Sequence, residues 1–261
     1  MTIGTRRVFS FAAAAMLVSA TPVYSADIAP PQPEVPIEHT WKFQLTMYGW
    51  ASALNGDTAI RDLPPVNVNV SFADLLKNLD GAFMGSFYAT DGEWMVLTDL
   101  VWAKVSDQVT GPAGGTVKYE QTQAIVSGIV GYALPIGVPE LQLSATAGVR
   151  INHLKAKLDL APADFPGVSR EGSKTWVDPT IGLSAHYEVN ERWFVNALAD
   201  VGGFGVGSDI TSQGFLSVGY KWNEKVSTAL GYRVLYTDYD KGGFVYNITQ
   251  HGPYAGLGFH F

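Results

Sequence analysis

Cysteine is absent from the 261 residues, which excludes a disulfide framework and any thiolate metal site. Charge is scarce too: only 16% of residues are Asp, Glu, Lys or Arg, with 24 acids against 17 bases. A formal net charge of −7 leaves no basic stripe, so no nucleic acid is expected as a partner. Long apolar runs are also missing. After residue 25 no segment reaches the roughly 18 consecutive apolar residues of a spanning helix. A chain that is 47% hydrophobic and lacks such a helix can enter a bilayer only as a closed β-barrel. In lipid every backbone N–H and C=O needs a partner within the protein. Composition alone fits a water-soluble β-sandwich equally well, so the pattern along the chain must decide.

Arg6 and Arg7 precede an apolar stretch from Val8 to Ala20 and then small residues around Val23–Ala26. A basic start, a short apolar core and a small-residue exit predict a signal peptide over 1–25, cleaved after Ser25. Its removal takes away two Arg and shifts the net charge to about −9. Residues 26–40 are rich in proline and without periodicity, which predicts an extended linker.

From Trp41 onward about ten segments alternate with period two, near 41–52, 81–90, 93–104, 117–133, 140–154, 175–188, 192–203, 211–222, 225–238 and 244–261. Short connections (Asp91-Gly92, Pro135–Pro139, Val189–Glu191, Asn223-Glu224) alternate with long ones (53–80, 105–116, 155–174, 204–210) and a Gly-rich bend at 239–243. That alternation predicts an all-β, closed, up-and-down antiparallel transmembrane barrel of about ten strands over 41–261, with eight as the alternative. A Greek-key sandwich would scatter its long connections irregularly.

Asp91-Gly92 reads as a two-residue hairpin turn, setting Phe87 opposite Val96 and Met84 opposite Asp99. Phe83, Phe87, Trp94, Val96, Leu100 and Trp102 then share one face, expected in lipid, while Ser86, Tyr88 and Asp99 share the lumen face. Trp94 and Trp102 are eight residues apart. At about 3.3 Å per residue and a tilt of about 40° that spans roughly 20 Å of height, near an apolar band of about 25 Å. They are expected as lower and upper members of an aromatic girdle, joined at the turn end by Trp193, Tyr220, Trp222 and Phe261. In the first long connection, Ser71 is placed to cap a short helix with Asp74 in its first turn.

Asp99, Arg150, Asp178, Asp200 and Arg233 are expected to face the lumen, the last four at one height. Arg150 and Asp178 flank a long loop symmetrically and are expected as a cross-strand pair. Charges inside a narrow barrel must be paired, because desolvation costs several kcal/mol per ion. They predict an ionic layer that fastens the strands, with a selectivity constriction as the lesser alternative. Gly202–Gly207 fails the spacing and context of a dinucleotide loop. Asp238 and Asp240, across a hairpin from His251, form the clearest acid–imidazole constellation, the pattern of a general-base hydrolase. No catalytic residue, metal site or cofactor is otherwise expected.

The terminal strand ending Gly258-Phe259-His260-Phe261 resembles the C-terminal signature of Gram-negative outer-membrane β-barrels. Trp176-Val-Asp-Pro179, Gly202–Ser208, Gly231-Tyr-Arg233 and the run from Gly252-Pro253 to Phe261 are similar to a proteobacterial, porin-like branch of such barrels. The resemblance implies an integral outer-membrane location in contact with lipid and lipopolysaccharide, and reading of the Phe261 strand by the barrel assembly machinery. It brings no activity with it. Omptin-type proteases are also ten-stranded with acids and an Asp/His couple at the outer mouth, and only Asp238/His251 is similar. The His-x-Ser motif of small-barrel lipid A deacylases is missing, since Gly252-Pro253 follows His251. The expected role is therefore a non-enzymatic barrel, structural or acting through its loops, with a narrow small-solute channel open and an omptin-like hydrolase as the alternative.

Overall fold

The computed structural model describes residues 40–59, 65–110, 115–161 and 166–261. The expected signal peptide and nearly all of the expected linker lie outside those residues. Twelve strands are described, β1 (Lys42–Trp50), β2 (Ala53–Ala59), β3 (Val66–Val70), β4 (Leu79–Thr90), β5 (Trp94–Thr110), β6 (Thr116–Ala133), β7 (Leu141–Ala161), β8 (Val168–Glu188), β9 (Trp193–Gly202), β10 (Ile210–Lys221), β11 (Val226–Lys241) and β12 (Phe244–His260). A short helix, α1 (Phe72–Lys77), precedes β4.

Ten strands make the barrel. Each of β4 to β12 pairs antiparallel with the next, and β1 pairs with both β4 and β12, closing the ring. β2 and β3 are additional: β2 pairs with the far half of β12, and β3 pairs with β2. Closure gives the turn-end half of each barrel strand a partner on both sides, which is why the alternating segments form one cylinder rather than an open sheet.

All ten expected strands are present, but several are longer than the hydrophobic alternation suggests. β5, β7 and β8 run on beyond the expected ends, so the connections at 105–116 and 155–174 shrink. The extensions carry outward polar or charged residues in place of apolar ones: Ser106, Gln108 and Thr110 on β5, and the pairs Lys155–Glu171 (2.8 Å) and Lys157–Asp159 (2.7 Å) on β7 and β8. Here the ladder continues where the apolar signal stops.

The expected two-residue turn is also corrected. Thr90 pairs with Met95, Phe87 with Thr98 and Met84 with Val101, a shift of two residues. The Asp91 carboxylate accepts from the amides of Glu93 (2.9 Å) and Trp94 (2.7 Å), widening the turn. A shift of two keeps parity, so each side chain stays on its expected face.

Burial alternates along the strands, for instance through Arg150, Asn152, Leu154 and Ala156 of β7. Buried positions face the lumen, and exposed positions such as Trp94 (46%) and Trp102 (37%) face out. One end of the barrel carries the tight turns, with Trp193, Tyr220 and Trp222 in successive edge-on contacts and Phe43 stacked on Phe87 and Phe261. The other end carries the long strands, β2, β3 and α1.

Candidate functional site: the barrel lumen

Inward parity brings Asp99, Arg150, Asp178, Asp200 and Arg233 into the barrel interior, but not in the pairs that linear spacing suggests. Arg150 and Asp178 are opposite each other in register, yet their side chains do not form the ion pair. Arg150 reaches past β8 to Asp200 of β9, with Nη2 donating to both carboxylate oxygens (2.9 and 2.8 Å) and Nη1 to Thr211 (3.1 Å). A long guanidinium seeks two-oxygen contact, and inside a cylinder the next strand but one is within its reach.

Asp178 is occupied by neutral donors. Its carboxylate accepts from Asn152 Nδ2 (3.1 Å), Trp176 Nε1 (3.1 Å), Ser208 Oγ (2.9 Å) and the Ser208 amide. Those bonds pull the segment after β9 inward, so Ser208 is wholly buried. Gly207 is needed there because a Cβ would stand 2.4 Å from the Val177 carbonyl oxygen. The Trp176–Pro179 and Gly202–Ser208 motifs are thus the two halves of one contact.

Arg233 forms the second ion pair, with Asp99 at 2.9 Å. It also donates to Gln213 Oε1 (2.7 Å) and Tyr48 Oη (3.1 Å), while its guanidinium lies 4.9 Å from the Trp50 ring. Tyr48 in turn donates to Asp99 (2.6 Å). Gln213 is opposite Asp200 in register, so the two ion-pair groups adjoin across β9 and β10.

Sequence reasoning missed the aromatic packing beyond this layer. Trp176, Tyr239, Phe244 and Tyr246 cluster with Leu54, Leu154 and Ile248, and Leu75 of α1 packs against them. Trp176 stacks on Tyr239 with centroids 4.4 Å apart. Parity was the available signal: Phe244, Tyr246 and Ile248 share the lumen face of β12 with Gly256 and Gly258. Ser71 caps α1 as expected, and its hydroxyl, with Lys77, holds the Asp74 carboxyl below the usual range.

Toward the turn end the lumen is polar. His186 contacts Asn196 (2.6 Å) and Glu188 (3.0 Å), Lys221 donates to Glu188 (2.6 Å), and His260 meets Ser227 (2.8 Å). Ser227 is buried, so its hydroxyl is not offered to a substrate. The acid–imidazole constellation is not assembled either. Asp238 is opposite Asn247, four residues along β12 from His251, roughly 13 Å at strand spacing. His251 instead contacts Tyr232 (2.7 Å) and Asn55 (2.9 Å). Among the described residues no group of three or more His, Cys, Asp or Glu is placed to hold a metal.

Searches against family models and curated proteins match nothing. Among solved structures, the outer membrane protease OmpT from Escherichia coli aligns with a TM-score of 0.50 at 12% identity, over 86% of this chain and 98% of that one. The fold is that of an outer-membrane β-barrel. Ail, the attachment invasion locus protein of Yersinia pestis, aligns over 85% of this chain and 98% of its own at 10% identity and a TM-score of 0.38. The transport unit of the autotransporter AIDA-I from Escherichia coli covers 91% and 94% at 7% identity and 0.39. At such identities the likeness concerns fold alone. Exterior positions of the barrel are largely apolar or aromatic and the inward ones carry the buried charges, the polarity expected of a barrel whose outer wall stands in lipid.

Proposed function

We propose that the protein is a non-enzymatic, occluded barrel of the Gram-negative outer membrane that holds a rigid platform for its long-strand end outside the cell. The observation that carries this reading is the sequence of side-chain layers across the lumen. Arg150–Asp200 and Arg233–Asp99, with the bonds of Arg150 to Thr211 and of Arg233 to Tyr48, fasten six strands at mid-height, and the Trp176 cluster with Leu75 of α1 lies beyond them. A barrel of about ten strands is narrow enough for such layers to fill it.

On this reading residues 1–25 are the export signal, 26–40 a periplasmic linker, and the terminal strand with Phe261 the segment read by the assembly machinery. Trp94, Trp193, Tyr220, Trp222 and Phe261 form the inner girdle and Trp102 part of the outer one, against lipid and lipopolysaccharide. Tight turns face the periplasm. The separation of Asp238 from His251 supports a role without hydrolysis.

Conductance tests it. Purified full-length protein in planar bilayers is expected to give no discrete current steps. Regular steps that change size in Arg150→Ala or Asp99→Ala would replace the platform with a selective channel.

A further inference from the structure

The barrel wall is not zipped over its whole height. β1 and β4 pair from Lys42–Thr90 to Met47–Gly85 and stop there. Beyond that point Leu79–Met84 of β4 pairs only with β5, while β2 turns to β12 and β3. The edge of β3 and the upper edge of β4 therefore remain without a strand partner among the described residues. An open edge is not tolerated in hydrocarbon unless something covers it.

Part of the cover belongs to the chain. The Trp50 amide, where the ladder opens, donates to Met84 Sδ (3.3 Å), and Leu75 of α1 packs on the lumen cluster. What is left is an apolar cleft of about 90 Å³ bounded by Trp50, Leu54, Leu76, Ala82, Met84 and Gln123. Gln123 is engaged with Gln250 (2.8 Å) and Tyr246 (2.9 Å). The Trp50 side chain is not: it is 4% exposed and its indole Nε1–H has no hydrogen-bond partner among the described residues. A buried donor left without an acceptor is costly, and this one belongs to the cleft wall.

We propose that the seam binds one acyl chain of an outer-leaflet lipid, whose ester or amide carbonyl accepts the Trp50 Nε1–H bond. This rests on the barrel standing in the outer membrane with its long-strand end outward. Height supports the choice. Ala82 pairs with Ala103, next to the Phe83–Trp102 pair, and an outward Trp near the end of the apolar belt marks the interface. The lining supports it too. No charged side chain borders the cleft, and Arg233, over the Trp50 ring, is committed to Asp99. A neutral carbonyl meets that lining without loss, whereas a carboxylate would shed its hydration with no cation to replace it. The volume holds about three water-sized groups, enough for the carbonyl and adjoining methylenes. The rest of the chain runs down the outer wall of β4 and β1, against the exposed side chains of Phe83 and Met47.

The test is photolabelling of the full-length protein in vesicles of phosphatidylcholine carrying a diazirine on one acyl chain, with adducts mapped by mass spectrometry. Adducts are expected on Trp50, Ala82 and Met84 as well as on the outward residues Leu216 and Leu230. Trp50→Phe, which keeps the ring and removes the donor, is expected to lower the seam adducts about fivefold and leave the outward ones unchanged. Ala82→Phe, which fills the cleft, is expected to abolish them. Outward adducts without seam adducts would overturn the site while leaving the membrane reading intact. Absence of both would overturn the two together. A diazirine-bearing free fatty acid that labels the seam more strongly than the phospholipid would also reject the lipid chain as occupant.

Discussion

Arg150 and Asp200 meet at 2.8 Å with 1% and 2% of their side chains exposed, so neither ion has water to fall back on. Breaking such a pair from one side leaves a buried charge uncompensated, which costs about 3–5 kcal/mol. Asp200→Asn is therefore expected to lower the unfolding free energy by about that amount, read from urea denaturation in lipid vesicles. The double variant Arg150→Met, Asp200→Leu should recover most of the loss, since well-packed apolar replacements of buried pairs are often neutral. If Asp200→Asn costs less than about 1 kcal/mol, comparable to an exposed pair, water reaches the guanidinium and the layer is not sealed. Which residues point inward was legible from parity. Which of them pair was not, because the Arg150–Asp200 contact skips a strand and depends on the curvature of the closed wall.

Among the elements, the segment between β9 and β10 shows a loop held by a strand. Asp178 accepts four hydrogen bonds, two of them from Ser208. Asp178→Asn keeps the size but replaces one accepting oxygen with a donor that faces donors. Residues 203–209 are expected to lose amide hydrogen-exchange protection, with β7 and β8 themselves unchanged. Equal protection in the variant would mean that the positive-φ turn at Gly203, Phe204 and Gly205 holds the loop without the carboxylate. The ten barrel strands were readable because one apolar and one polar face impose period two. β3 was not, although Val66-Asn-Val-Asn-Val70 alternates strictly. Pro64-Pro65 just before it and the helix cap at Ser71 just after it both argue for a connection, and its pairing is with β2, not with a barrel neighbour. The strand extensions were hidden for a related reason: their outward faces are polar or charged, so the hydrophobic signal ends before the ladder does.

At the scale of the whole molecule the controlling quantity is the height of the apolar belt, since it determines where a charge is tolerated. Leu216 faces outward at 56% exposure, four residues along β10 from Tyr220. Tyr220 and Trp222 are in edge-on contact at the turn end. An arginine at the bilayer midplane of a barrel costs about 2–4 kcal/mol, falling to about 0–1 kcal/mol near the interface. Leu216→Arg is therefore expected to destabilise the folded protein in vesicles by several times as much as Trp222→Arg. A soluble barrel would give the reverse, because water accepts a charge at Leu216 freely while the aromatic contacts of Trp222 would still be lost. Equal, small costs at both positions would mean that the exterior does not stand in lipid. The seam, the girdle and the platform depend on that same exterior, so the ratio of these two costs tests them together, whatever role the long-strand end performs.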